Sequence, residues 1–142
     1  MGSSEWHHIV AFEPDIAAVL VRLQEAEFAA GEYFWEGDGV DGIDRPESIE
    51  ALLDDQPASG THSIIDMFEG VSDEPRFGVV APLSEAQLMT AFDTLHPDLD
   101  AVRRWAQSSA IDEWLPNWYG GYVVAGPPDA PTGICFAGFS GD

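Results

Sequence analysis

The strongest constraint on the fold is the helical pattern of residues 14–31, which has a defined start, one apolar side and a defined end. Proline at position 14 suits the first turn of a helix, Asp15 suits its positive end, and Gly31 is typical of the residue that follows one. At about 100° per residue the apolar side chains lie in one stripe along the helix. This stripe is expected to pack against another apolar surface. This stripe consists of Ile16, Val19, Leu20, Leu23, Ala26 and Ala30.

One acidic side chain interrupts this stripe. Glu27 projects onto the same side as Ile16 and Leu20, close to the end of the helix. A carboxyl group that faces a core must be paired, reach water or stay protonated, so we expect either a raised pKa or a basic partner. Arg22 and Arg103 are the candidate partners.

The rest of the chain alternates between strand-like and helix-like patterns. Alternating faces predict strands at residues 5–12 and 61–69, and short apolar or aromatic segments predict strands at residues 32–35, 77–81, 121–125 and 134–139. Capping residues and helical spacing predict further helices at residues 47–55, 84–93 and 97–108. Strands that follow each other directly are expected to pair as antiparallel hairpins. The sequence therefore predicts an α+β fold: a mainly antiparallel sheet of about six strands in the order β-α-β-α-β-β-α-α-β-β, with helices packed on it.

Length and composition are those of one domain with a core. The chain has 142 residues, of which 45% are hydrophobic. Residues 1–4 are expected to be a loose terminus and residues 5–142 a single α+β domain. No apolar run approaches about 18 residues and no basic start precedes an apolar stretch, so neither a membrane span nor a signal peptide is expected. Cys135 is the only cysteine and has no partner for an internal disulfide, which favours a cytoplasmic protein.

The charge of the chain is very uneven. It holds 26 acidic residues, five arginines and no lysine, for a net charge of −21. Residues 1–100 hold 22 acids and three arginines, a balance of −19, whereas residues 101–142 have a balance of −2. Nucleic acids and anionic membranes bind through positive patches, so both are excluded as direct partners.

The charge favours a small binding or inhibitor protein, of the immunity-protein or antitoxin kind, that engages a basic protein partner. Dense carboxylates imitate phosphate and steer association with a cationic surface. The expected contact surface is the glycine-broken loop of residues 36–44 with the helix after it. Its acidic residues are Glu36, Asp38, Asp41, Asp44, Glu47, Asp54 and Asp55.

No motif for a metal or a cofactor stands out. The acidic loop resembles a calcium ligand set, but counted from Glu36 the fifth and sixth positions are Val40 and Asp41, which does not match an EF-hand. His7 and His8 are adjacent on a strand and face opposite ways, so they cannot chelate together. Nucleotide and zinc motifs are missing from the sequence, and we expect neither a metal nor another cofactor.

The last third of the chain supports a different hypothesis. Its aromatic residues could line a pocket for a small molecule, with Glu27 or a histidine as acid or base, which would make the protein a small enzyme or a ligand-binding protein. The same residues could instead form a wall of the core, and this alternative is favoured because large aromatic side chains are usually buried. A third hypothesis treats the acidity as a composition effect of the host, with no partner role. The pocket residues are Trp105, Trp114, Trp118 and Tyr122.

Overall fold

The computed structural model describes residues 5–35, 37, 39–54, 60–108 and 115–140. The described elements are β1 (Glu5–Ala11), α1 (Ile16–Ala30), α2 (Ile49–Asp54), a 3₁₀ turn (Ile64–Asp66), β2 (Gly70–Val71), β3 (Val79–Pro82), α3 (Glu85–Phe92), α4 (Leu99–Gln107), β4 (Gly120–Ala125) and β5 (Gly133–Phe139). No helix among these residues is long and apolar enough to cross a membrane.

The sheet is mixed rather than mainly antiparallel. Its five strands lie in the order β1-β5-β4-β3-β2, with β5 antiparallel to both β1 and β4. The other two pairings, β4 with β3 and β3 with β2, are parallel. A parallel neighbour needs a crossover connection, which α3 and α4 supply between β3 and β4. The α+β class and the β4–β5 hairpin are thus confirmed, whereas six strands in a mainly antiparallel sheet is wrong.

Two predicted strands are absent from the described sheet. Residues 32–35 contain no strand, and their backbone is tied to the fold where Phe34 N donates to Thr61 O at 2.7 Å. Residues 61–69 alternate like a strand but form the 3₁₀ turn, because the Ser63 side chain accepts from Ile65 N at 3.2 Å. Such local bonds from side chain to backbone offer the chain an alternative to a ladder.

Helices cover both faces of the sheet. Successive residues of β5 point to opposite sides, so Ile134 and Phe136 pack against α1 while Cys135 and Ala137 pack against α3 and α4. A third apolar cluster lies between α2 and the segment that follows α1. Its buried members are Tyr33, Trp35, Leu52 and Ile65.

Helix α1 begins and ends where its sequence predicts. The Asp15 carboxylate accepts from Ala18 N at 3.1 Å, and Gly31 ends the helix with a left-handed φ of 71°. Val19 and Leu20 are buried as expected, but Ala26 and Ala30 are exposed, because the buried side of the last two turns shifts towards other residues. The residues on that side are Gln24, whose amide donates to Ile64 O and Met67 O, and Phe28, which stacks on Tyr33.

Candidate functional site

The acidic loop is held at its base, and its described carboxylates are exposed. The Arg45 guanidinium lies over the rings of Tyr33 and Trp35, at 5.3 and 5.8 Å from their centroids. A cavity of about 460 Å³ opens between Trp35, Ile43 and the start of α2. Among the predicted contact residues, Asp41, Asp44, Glu47 and Asp54 are exposed, whereas Glu36, Asp38 and Asp55 lie outside the described residues.

The aromatic residues of the last third do not share one place. Trp105 is a buried residue of α4, and its ring meets that of Phe92 in α3 edge to face, with the ring centroids 5.6 Å apart. Tyr122 lies on the opposite face of the sheet, beside Phe136 at 6.1 Å. Trp105 is part of the core and does not line the cavity beside Tyr122. Trp118 is half-exposed at a third place, and Trp114 lies outside the described residues.

Glu27 meets a histidine rather than either arginine. Arg22 pairs with Glu13 and Arg103 with Asp100, so the predicted partners of Glu27 are wrong. Glu27 Oε1 instead lies 3.7 Å from His8 Nε2, and both side chains are mostly buried. Burial, and to a smaller degree the charge of Glu32, raises the pKa of Glu27, as expected from its place on the stripe. Burial, and to a smaller degree the charge of His7, lowers the pKa of His8 in spite of this carboxylate.

The His8 site is expected to make the protein less stable in mild acid. Because folding lowers the pKa of His8 from 6.5, the unfolded chain binds more protons, and stability falls as the pH falls through that value. The raised pKa of Glu27 acts in the opposite sense, with stability lost as the pH rises above about 4.5. His8→Gln removes only the first effect, which partial exposure limits to less than about 1 kcal/mol.

Urea unfolding at about pH 7.5 and about pH 5.5 checks this expectation. The wild-type chain should lose more stability between the two pH values than His8→Gln does. His96→Gln is the matched control, because His96 is exposed and should leave the pH dependence unchanged. Equal losses in the wild type and in His8→Gln would contradict the expectation.

An aromatic patch covers the surface near β2, β3 and the start of β4. The rings of Phe34 and His62 stack at 4.7 Å, Phe68 and Phe77 meet edge to face at 5.9 Å, and Phe77 lies 5.2 Å from Trp118. The three phenylalanines are 40%, 43% and 52% exposed. We call these five residues the aromatic patch.

The segment of residues 60–62 joins the two halves of the patch. Phe34 N donates to Thr61 O, which places Phe34 beside this segment. On its other side the Gly60 backbone lies against the Trp118 ring, since a Cβ at Gly60 would be 3.0 Å from that ring. The stacked pair of Phe34 and His62 is therefore linked to the group of Phe68, Phe77 and Trp118 through the buried backbone of Gly60 and Thr61.

The backbone beneath the patch adopts rare conformations. His62 and Trp118 have positive φ values of 55° and 71°, and Gly60 and Gly78 have 82° and 73°. For a residue with a side chain this conformation costs about 1–2 kcal/mol, so the surrounding fold must maintain it. At Trp118 it does so through bonds on both sides, from Trp118 N to Phe139 O at 3.0 Å and from Gly78 N to Trp118 O at 2.8 Å.

A buried carboxyl group organises the segment that carries His62. Asp66 is fully buried, and its oxygens accept from Thr61 N at 2.8 and 3.0 Å and from Thr61 Oγ1 at 2.8 Å. Ser140 Oγ donates to it at 2.6 Å from 74 residues away. Ser63 Oγ lies 2.8 Å from Thr61 Oγ1 and completes this polar hub. The spacing of Thr61, Ser63 and Asp66 is typical of turns closed by side chains, and was the available signal that the strand interpretation missed.

A second cavity lies at the carboxyl ends of β3 and β4. It measures about 400 Å³ and is lined by proline, leucine and valine side chains, with Tyr122 and His96 as its polar side chains. Burial, and to a smaller degree the charge of Asp73, raises the pKa of Tyr122. Glu27 and His8 do not line this cavity.

The described residues offer little for covalent or metal chemistry. Burial raises the pKa of the Cys135 thiol to about 12, which leaves almost no thiolate to act as a nucleophile. The described part of the chain contains no group of three or more histidine, cysteine, aspartate or glutamate residues that could hold a metal ion. Comparison with protein-family models, curated proteins and solved structures found no match for this chain.

Proposed function

We propose that this chain is an acidic binding protein that engages a cationic protein partner. One observation carries the proposal: every carboxylate of the described residues is exposed except those of Glu5, Glu27 and Asp66. With five arginines against 26 acids, few of these charges can be neutralised within the chain. A surface of this kind accelerates encounter with a positive partner through long-range attraction.

The loop after α1 is the part of the acidic surface best suited to a specific contact. Its carboxylates at Asp41, Asp44 and Glu47 are exposed, and the stacking of Arg45 on two aromatic rings fixes the base of the loop. Exposed acids also occur on the other helical layer, as at Glu85 of α3. Charge alone therefore attracts a partner from several sides and does not fix where it docks.

The salt dependence of binding tests the proposal. The immobilised chain would be exposed to an extract of its source cells, and each retained protein purified and titrated at increasing NaCl concentration. We expect a partner rich in lysine and arginine, with a Kd that rises at least about tenfold between roughly 50 and 300 mM salt, since the Debye length shortens over this range. A retained partner that is acidic, or whose Kd ignores salt, would contradict the proposal.

Neutralising the loop is expected to slow association with that partner. The variant combines Asp41→Asn, Asp44→Asn, Glu47→Gln and Asp54→Asn, which removes four exposed charges from one region. We expect the association rate constant to fall by about tenfold at low salt and the dissociation rate constant to change less. The reason is that long-range electrostatic attraction acts while the two proteins approach each other. Stopped-flow mixing or surface plasmon resonance would measure both rate constants.

A matched control removes the same charge from scattered sites. It combines Glu25→Gln, Asp73→Asn, Glu85→Gln and Asp129→Asn, which are all exposed. This control should slow association less than the loop variant does. Equal slowing in the two variants would mean that the net charge alone matters and that the loop has no special part in contact.

A further inference from the structure

The aromatic patch is a second candidate contact surface on this acidic protein, besides the loop after α1. Resting on the proposed function, we propose that the patch binds a cationic segment of the partner, with an arginine side chain of that segment over the faces of Phe77 and Trp118. The patch comprises Phe34, His62, Phe68, Phe77 and Trp118.

The exposure of the patch is unusual for this chain. Of its eight phenylalanines, only Phe34, Phe68 and Phe77 are exposed, and all three lie in the patch. Each of these partly exposed rings forgoes a share of the about 1.5–3 kcal/mol that full burial of such a side chain contributes. The rings of Phe68, Phe77 and Trp118 contact one another, and contiguous apolar surface of this kind marks an interaction site.

The chemistry around the patch favours a positively charged occupant. Glu32, Glu69 and Glu74 are exposed and lie within three residues of the exposed phenylalanines in the chain. The bond from Glu69 N to Gly78 O, at 2.9 Å, brings Glu69 next to the turn that carries Phe77. These three carboxylates outweigh the exposed Arg76, which precedes Phe77. A ring face with negative charge nearby attracts a guanidinium group, which can also stack flat on it.

The same chemistry occurs within the fold, where the Arg45 guanidinium lies over Tyr33 and Trp35. A second copy of this chain fits the patch poorly, because each copy carries a net charge of −21 and close approach of two copies is repulsive. Backbone bonds to Phe139 and Gly78 fix Trp118 at its positive φ and so hold the backbone beneath its ring in one conformation. A preorganised surface loses little entropy when it binds.

A short basic peptide and changes at Phe77 test this inference. The probe is a ten-residue peptide of alternating glycine and arginine, titrated by calorimetry into the wild-type chain at low salt. We expect both Phe77→Ala and Phe77→Leu to raise the Kd about twofold to fivefold, because leucine keeps an apolar side chain but lacks the ring face. Met89→Ala, which truncates an exposed apolar residue of α3 outside the patch, should leave the Kd unchanged.

The outcomes separate this inference from the proposed function. Binding that weakens with salt but is unaffected by both Phe77 variants would overturn the patch and leave the proposed function standing. Loss of affinity in Phe77→Ala with wild-type affinity in Phe77→Leu would overturn the arginine contact, since apolar area alone would then account for binding. Failure of the wild-type chain to bind the peptide at low salt would count against the proposed function itself. Urea midpoints close to that of the wild type would show that the exposed substitutions leave the fold intact.

Discussion

Replacing Asp66 by alanine is expected to lower the free energy of unfolding by about 3–5 kcal/mol. The substitution removes the acceptor for three buried donors: Thr61 N, Thr61 Oγ1 and Ser140 Oγ. Thr61 Oγ1 keeps Ser63 Oγ as a partner, so the donors left uncompensated are Thr61 N and Ser140 Oγ, each at a cost of about 1–3 kcal/mol. The substitution also releases the end of β5 from the segment that carries His62. Urea unfolding followed by tryptophan fluorescence measures the loss.

Two further variants make this expectation specific. Asp66→Asn keeps the size of the side chain but turns one acceptor into a donor that faces other donors, so we expect an intermediate loss of about 2 kcal/mol. Asp73→Ala removes an exposed carboxylate and should change stability by no more than about 0.5 kcal/mol. If Asp66→Ala were as stable as Asp73→Ala, the polar hub would have no structural role.

The helices could be predicted because their signals are local. The capping box of α3 depends on four consecutive residues, and both of its hydrogen bonds form. Gln87 N donates to Ser84 Oγ at 3.1 Å, and Ser84 N donates to Gln87 Oε1 at 2.8 Å. The stop of α1 at Gly31 likewise depends on one residue and its left-handed φ of 71°. The hairpin of β4 and β5 could be predicted because two short, mostly apolar segments are separated by a proline-rich turn.

The order of the sheet could not be predicted in the same way. Residues 61–69 alternate like a strand, yet bonds between side chains and backbone fold them into the 3₁₀ turn. One of the bonds that hold this segment comes from Ser140, 74 residues later, which no local pattern contains. The parallel pairing of β3 with β4 depends on how α3 and α4 cross the sheet, and sequence spacing does not specify that path.

The aromatic residues of the last third were grouped by their closeness in the chain, which the fold does not preserve. Trp105, Trp118 and Tyr122 are close in the chain, but a helix, a turn and a strand carry them to three different places. The aromatic patch assembles residues from well-separated segments, so closeness along the chain does not reveal it. The local pattern of α1 was sufficient for Glu27. Because this residue interrupts the apolar stripe, the sequence indicated a half-buried carboxyl group with a raised pKa, which the structure has.

Gly60→Ala is expected to cost about 3 kcal/mol, because Gly60 lies where the polar hub and the aromatic patch meet. Its φ of 82° disfavours any side chain, which accounts for about 1 kcal/mol of this loss. The remainder arises from crowding: a Cβ there would lie 2.5 Å from Asp66 Oδ2 and 3.0 Å from the Trp118 ring. Neither neighbour can yield freely, since Asp66 holds buried donors and Trp118 is fixed by backbone bonds on both sides.

Gly42→Ala separates the two contributions. Gly42 has the same φ of 82° but no atom within 4 Å of the place where a Cβ would lie, so its substitution should cost only about 1 kcal/mol. The difference of about 2 kcal/mol in urea unfolding then measures the close approach of Asp66 and Trp118 to the Gly60 backbone. Equal losses of stability in Gly60→Ala and Gly42→Ala would mean that the polar hub can shift without cost. Trp118 would then not depend on the polar hub for its position. A larger loss at Gly60, with weaker binding of the arginine peptide, would instead show that the buried hub supports the exposed patch.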